Sequence, residues 1–279
     1  MRASILLART GRRPPSAALL ASVLLAVSAC TSAPPRGGYY QDDGPHAAPP
    51  VDVSRVPDAV PRAEPIGPRG NRPYAVFGRT YHPLRDAAGY RERGIASWYG
   101  KKFHGRDTSS GEPYDMYAMT AAHKTLPLPS YVQVRNLSNG RTVVVRVNDR
   151  GPFKHDRLID LSYAAAARLG IVGAGTGLVE VTAIHADTPP APRLAAAPAN
   201  GPPKLFVQVG AYTSRANAES MRERLQRADF TPVHIQPAEQ DRVPLYRVRV
   251  GPLSGVDSSD ALAARMRAHG LPEPLVVVE

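Results

Sequence analysis

The chain has 279 residues, 43% of them apolar, with one cysteine and a formal charge of +11. A single cysteine excludes an intramolecular disulfide and a cysteine-clustered metal site. The positive charge points to a polyanionic partner, and the length allows two small domains.

The first residues form an export signal. Arg2, Arg9, Arg12 and Arg13 precede an apolar run from Ala17 to Val27, and no acidic residue occurs before Asp42. The run is 11 residues long. That is too short for a bilayer, which needs roughly 20, but it suits the hydrophobic region of a secretory signal peptide. It closes on Val27-Ser28-Ala29-Cys30, which resembles a bacterial lipobox with valine in place of the more usual leucine. The resemblance implies cleavage after residue 29 and acylation of Cys30. Thr31 in the next position implies outer-membrane sorting, facing the periplasm. Loss of the four signal arginines leaves a mature chain near +7. Export argues against nucleic acid as a partner and leaves lipid head groups and the acidic wall.

Residues 31–73 contain ten prolines and little apolar periodicity. Such a segment buries too little to offset its ordering entropy, so residues 30–92 are expected to form the lipidated anchor and an extended tether. A second break, residues 186–203, has twelve alanines or prolines among its eighteen residues. A linker at 185–203 is therefore expected between a domain at 93–184 and another at 204–279.

The first domain reads as mainly β. Tyr131 to Arg135 alternates apolar and polar residues, Asn139-Gly140 is a hairpin turn signal, and Val143, Val145 and Val147 continue one face of the returning strand. Gly151-Pro152 ends that strand. Ser162 caps a short helix from Tyr163 to Leu169, Gly170 stops it, and Gly177 to Ile184 is a last strand. Short strands without strand–helix alternation predict a small closed barrel, which removes exposed edges.

The second domain reads as βαββαβ. Strands are expected at Leu205–Val209, Thr231–Ile235, Leu245–Val250 and Leu275–Val278. One helix carries Ala218, Met221, Leu225 and Ala228 on a single stripe, and another runs from Ser259 to His269. Val207-Gln208-Val209-Gly210 is echoed by Val248-Arg249-Val250-Gly251. With the valines inward, Gln208, Arg247 and Arg249 share the opposite face. That face is either a solvated sheet surface or a binding surface for hydroxyls and carboxylates.

The densest polar stretch runs from Trp98 to Asp160. It holds Gly94-Ile95-Ala96-Ser97-Trp98-Tyr99-Gly100, Phe103-His104-Gly105-Arg106 and Ser110-Gly111-Glu112-Pro113-Tyr114-Asp115-Met116. Ala121-Ala122-His123-Lys124-Thr125-Leu126-Pro127, Val147-Asn148-Asp149-Arg150-Gly151-Pro152-Phe153 and Arg157-Leu158-Ile159-Asp160-Leu161-Ser162 complete it. Asp149 lies in register with Val143, Val145 and Val147, so it is expected on their buried face. There desolvation would raise its pKa, as a general acid requires; the same aspartate could instead cap the Gly151-Pro152 turn. Taken alone, Glu112 is a solvated turn residue and His123 a packed, hydrogen-bonded core residue. Trp98, Tyr99 and Phe103 offer flat surfaces to sugar rings or fill the core. His104, His155 and His185 lack a metal-ligand spacing, so neither a metal nor another cofactor is expected.

In the order of these motifs the chain resembles the rare lipoprotein A family of septal lytic transglycosylases. The C-terminal Phe206 to Tyr212 and Tyr246 to Pro252 resemble a SPOR domain. The resemblance implies a six-stranded double-psi β-barrel followed by a βαββαβ domain that binds glycan strands stripped of their peptides. It implies roles for Glu112 and Asp149 in the active cleft with His123 beside them, and glycan contacts at Gln208, Leu245 and Arg247. Some relatives carry an aromatic where Leu245 stands. The implied activity is endo-acting cleavage between N-acetylmuramic acid and N-acetylglucosamine with 1,6-anhydro ends. The implied setting is the division site, with septal proteins as partners. Expansin-like wall loosening without bond cleavage is the alternative. An RNA-recognition fold is disfavoured, because the two valine-rich strands lack ring stacks.

Overall fold

The computed structural model describes residues 43–47, 51–154, 156–184 and 203–279. The expected signal peptide, Cys30 and all but the end of the Ala/Pro linker lie outside the described residues.

A hairpin of β1 (Tyr74–Val76) and β2 (Arg79–Tyr81) precedes six longer strands. These are β3 (Arg91–Tyr99), β4 (Thr120–His123), β5 (Ser130–Asn136), β6 (Thr142–Asp149), β7 (Arg157–Ser162) and β8 (Gly177–Ile184). The six close into a barrel in the order β3-β7-β4-β6-β5-β8. The β3–β7 and β4–β6 seams are parallel and the other four antiparallel. Alternation fills the interior as expected: Val132, Val134, Val143, Val145, Val147, Val179 and Val181 are buried. The turn between β5 and β6 uses Gly140 at φ +73°, a conformation that costs glycine little. Helix α1 (Tyr163–Leu169) begins where Ser162 Oγ accepts the Ala165 N–H and stops at Gly170, φ +79°. Its Ala164, Ala165, Ala166 and Leu169 join the barrel core.

The barrel has a second, outer core. The loop from residue 100 to 119 folds over the outward face of β3 and β4 and buries Tyr99, Tyr114, Met116 and Ala122 there. Asp43 anchors the start of that loop, accepting N–H bonds from Gly100 at 2.8 Å and Lys102 at 3.0 Å.

An extended tether up to residue 92 is not what the structure contains. From residue 51 on, the segment is docked along the barrel as a strap. Val53, Val56, Ala59, Ala87 and Tyr90 pack on the main core, and Ala59 N–H donates to Val144 O at 3.0 Å. Arg168 donates to Asp58 Oδ1 at 2.6 Å and to Val56 O at 2.8 Å. The apolar residues here are too widely spaced to show a period, but a preformed surface can take them up one at a time.

The C-terminal domain comprises β9 (Leu205–Tyr212), α2 (Arg215–Arg227), β10 (Val233–Gln240), β11 (Val243–Leu253), α3 (Val256–Ala268) and β12 (Leu275–Val278). Its antiparallel sheet has the order β10-β11-β9-β12. The repeated valines at 207, 209, 248 and 250 meet Ala218 and Leu225 of α2 and Leu262 and Met266 of α3. β10 and β11 run longer than expected because Asp241 (φ +52°) and Arg242 (φ +66°) make a two-residue hairpin turn. Positive φ at both turn positions matches the strand twist, although neither residue is the glycine or asparagine that usually signals it.

Candidate active site and glycan face

The loop at 107–113 is clamped onto the end of β6. Asp107 bridges Pro113, Thr108 N–H and Oγ1 both donate to Glu112 O, and Ser110 N–H donates to Asn148 O at 3.2 Å. Gly111 sits at φ +96°, a backbone conformation that strains any residue with a Cβ and suits glycine. The clamp brings Glu112 and Asp149 to one junction. Asp149 Oδ1 accepts from Ser109 N–H (2.8 Å), Ser109 Oγ (2.7 Å) and Arg150 N–H (2.7 Å). Glu112 Oε2 accepts from Arg146 Nη1 (2.7 Å) and Asn148 Nδ2 (3.1 Å).

Those partners fix the state of Glu112. The Arg146 hydrogen bond holds its carboxyl below the ordinary range, with Asn148 adding to it against the effect of burial. Arg146 is in turn gripped bidentately by Glu64 of the strap, Nε to Oε1 at 2.9 Å and Nη2 to Oε2 at 2.8 Å. Glu112 is thus a charged anchor.

Asp149 departs from its expected place. A register shift sets Ala121 opposite Val147 but Ala122 opposite Asp149, so Asn148 is the extra residue of a bulge. The bulge takes Asp149 off the valine face and pairs it with Ala122, on the outer core. There it is half-buried, and its Oδ1 is held by three protein donors. Among the described residues Oδ2 accepts no hydrogen bond.

Desolvation acts instead on Asp160, which the sequence reading passed over. Ala122 faces Asp149 across one seam and Asp160 across the other, which puts the two Cα atoms about 10 Å apart. Burial raises the Asp160 pKa; the Ser97 hydroxyl, Arg157 and Lys124 oppose that shift, and the charge of Asp149 adds to it. Ser97 Oγ donates to Asp160 Oδ1 and receives Arg157 Nη1 at 2.8 Å. The signal was faint: alternation with the buried Ile159 and Leu161 assigns Asp160 to an outward face, and only the 100–119 loop makes that face secluded.

His123 does not join the carboxyls. It lies on the interior face of β4 opposite Ile159 and is 2% exposed. Its Nδ1 accepts the N–H groups of Thr125 (3.2 Å) and Leu126 (2.9 Å). The proton therefore sits on Nε2, which donates to Tyr90 Oη at 2.9 Å. Burial, with Lys124 and Arg150 nearby, lowers its pKa to about 3.

Of the three aromatics, Trp98 and Tyr99 are each only 9% exposed. Trp98 packs against Tyr163, and Tyr99 stacks on Tyr114 with ring centroids 4.0 Å apart. Phe103 keeps an accessible ring, with the Arg106 guanidinium 5.9 Å above it.

On the C-terminal sheet Gln208, Leu245, Arg247 and Arg249 share the face away from the helices. Arg249 is buried and committed: it donates to Gln208 Oε1 at 3.2 Å and to Glu279 Oε1. Its part is to fix the Gln208 amide, which leaves Arg247 as the more accessible cation. Two apolar neighbours were missed, Phe206 on β9 and Leu275 on β12. Leu275 pairs with Gln208 and is 59% exposed.

Comparison with known proteins matches this architecture. A family model described as lytic transglycolase covers residues 91–181, and a SPOR domain model covers 201–277. The fold is thus that of a double-psi β-barrel joined to a SPOR domain. A relative from Pseudomonas aeruginosa strain UCBPP-PA14, "Endolytic peptidoglycan transglycosylase RlpA", is 40% identical over 283 residues, covering 81% of this chain and 82% of the relative. One of the same name from Vibrio cholerae is 41% identical over 221 residues, covering 79% and 82%. The chain belongs to the RlpA family. A solved structure, the RlpA SPOR domain from Pseudomonas aeruginosa, is 30% identical and covers 26% of this chain and 96% of that one, with a TM-score of 0.25.

Proposed function

We propose that the protein is an endolytic lytic transglycosylase that cuts peptidoglycan between N-acetylmuramic acid and N-acetylglucosamine, preferring strands stripped of stem peptides. The carrying observation is the pair of aspartates flanking Ala122, one with its pKa raised by burial and the other held by three donors. Asp160 protonates the glycosidic oxygen, and the carboxylate of Asp149 offsets the positive charge developing at C1. The muramyl C6 hydroxyl then attacks C1, and its proton returns to Asp160, giving a 1,6-anhydro end without water. No carboxyl has to activate a water, so the carboxyl spacing of hydrolases does not apply. Glu112, locked to Arg146 and Asn148, holds the loop that carries Ser109 to Asp149. Acylated Cys30 fixes the chain to the outer membrane facing the periplasm, and the C-terminal sheet gathers it on stripped strands at the division site with septal proteins.

The test is mass spectrometry of anhydro products from stripped strands. Asp160→Asn and Asp149→Asn should each lower release by ~10²–10⁴-fold, and Glu112→Gln should also be severe because it frees the loop. The effects should be strongly non-additive if these groups form one site. If the folded wild type releases no anhydro ends, or both aspartate variants match it, the reading fails.

A further inference from the structure

A pocket of about 590 Å³ opens next to the loop that holds Asp149, between the strap and the end of β6. Ser109, the residue that donates twice to Asp149, is one of its walls. Tyr74 and Phe153 form another, stiffened by their own packing: Tyr74 stacks on Tyr81 at 5.2 Å and meets Phe153 edge-on at 6.1 Å. Three arginines, 69, 72 and 150, line the pocket, and no acidic side chain does.

The three arginines are not equivalent. Arg150 is spent on structure, donating to Gly70 O (2.8 Å), His123 O (3.0 Å), Leu126 O (2.6 Å) and Asn71 Oδ1 (3.0 Å). It pins the strap and so forms the pocket. Arg69 has only a loose contact with Asp107 at 4.0 Å, with both side chains largely exposed, which is worth little. Arg72 is exposed and has no acidic partner within ion-pair distance among the described residues. Two under-used guanidinium forks beside a rigid aromatic wall suit a sugar ring that carries a carboxylate.

On the transglycosylase reading, one sugar in the substrate fits that description. The lactyl ether of N-acetylmuramic acid ends in a free carboxylate when the stem peptide has been removed and in a neutral amide when it has not. We infer that the Arg69–Arg72–Tyr74 pocket binds the free lactyl carboxylate of a muramyl residue next to the scissile bond. Selection for stripped strands is then built into the barrel domain, separately from the C-terminal sheet. The strap is a specificity element of the active cleft.

Binding can be tested apart from cleavage. The disaccharide of N-acetylglucosamine and N-acetylmuramic acid, and its lactyl methyl ester, are titrated calorimetrically into the full-length protein with its wild-type pocket and into the Arg69→Ala/Arg72→Ala variant, both carrying Arg247→Ala to weaken the contribution of the C-terminal sheet. The wild type should bind the free acid about tenfold or more tightly than the ester, as expected for charge-assisted hydrogen bonds. The double variant should lose that difference while keeping its circular dichroism spectrum. Equal affinity of the wild type for acid and ester, or a preference that survives in the double variant, overturns the assignment. Absence of anhydro products in a parallel digest sinks the transglycosylase reading alone, because the titration decides the carboxylate pocket by itself.

Discussion

At the scale of single residues, His123 acts through what it cannot do, which is carry a charge. Protonating Nδ1 would break two backbone N–H bonds at once, and burial adds to that cost. Its folded pKa of about 3 lies below the ordinary 6.5. The unfolded chain therefore binds the extra proton first as pH falls. Stability from this group is complete above pH 6.5 and is lost towards pH 3, at up to about 1.4 kcal/mol per pH unit. Urea unfolding at pH 7 and pH 4.5 should show the wild type losing more stability than His123→Gln; equal losses would refute a buried neutral ring. A fall in cleavage by His123→Ala should track loss of fold, since the ring reaches neither carboxyl. The sequence carries the identity of this histidine but not its role: alternation with Ala121 places it inward, as observed. Asp149 misled for the same kind of reason, because the bulge at Asn148 has no signature in the residue pattern. Asp160 was hidden because its seclusion comes from a loop more than 40 residues earlier in the chain.

At the scale of elements, the strap is the part that pattern reading could not resolve. Its composition resembles a linker, and its order is tertiary: Glu64, Asn71 and Tyr74 bond to Arg146, Leu128 and Lys124 of the barrel. The barrel strands themselves were legible where valines alternate, as were α1 with both caps and the four strands and two helices of the C-terminal domain. Glu64 gives the strap a measurable role. It and Arg146 are mostly buried and paired through two hydrogen bonds, whereas Glu112 makes one such bond and is nearly half exposed. Glu64→Gln should therefore cost about 1–3 kcal/mol, and more than Glu112→Gln, in denaturant unfolding. The Arg146 bond also holds the Glu64 carboxyl low. The difference between wild type and Glu64→Gln should be full above the ordinary carboxylate pKa and shrink as pH falls through the lowered one. If Glu64→Gln unfolds at the wild-type midpoint and resists proteolysis within residues 51–90 equally well, the Glu64–Arg146 pair does not hold the strap.

At the scale of the whole chain, the proposed function divides proton chemistry in one domain from retention on the wall in the other. The carboxyl pair lies in the barrel, while the sheet face of the second domain presents an amide, a guanidinium and apolar side chains. The acid bonded on that face, Glu279, is occupied by Arg249. On the proposed reading this domain holds the glycan strand and leaves cleavage to the barrel. Residues 204–279 alone should bind sacculi without releasing anhydro ends, and should prefer sacculi whose peptides an amidase has removed. Arg247→Ala should weaken that binding by up to about tenfold. Arg249→Ala should weaken it by a different route, since losing the guanidinium frees the Gln208 amide and leaves Glu279 only its long bond from Gln236; its loss of affinity should come with loss of stability, whereas Arg247→Ala should unfold as the wild type does. In the full chain, Arg247→Ala should retain cleavage of short soluble strands and lose it on intact sacculi, where retention on the polymer raises the local concentration of the barrel. Sedimentation with sacculi and anhydro-product release, measured side by side, check both halves. Equal binding to stripped and untreated sacculi, or equal loss of cleavage on both substrates, contradicts the division of labour.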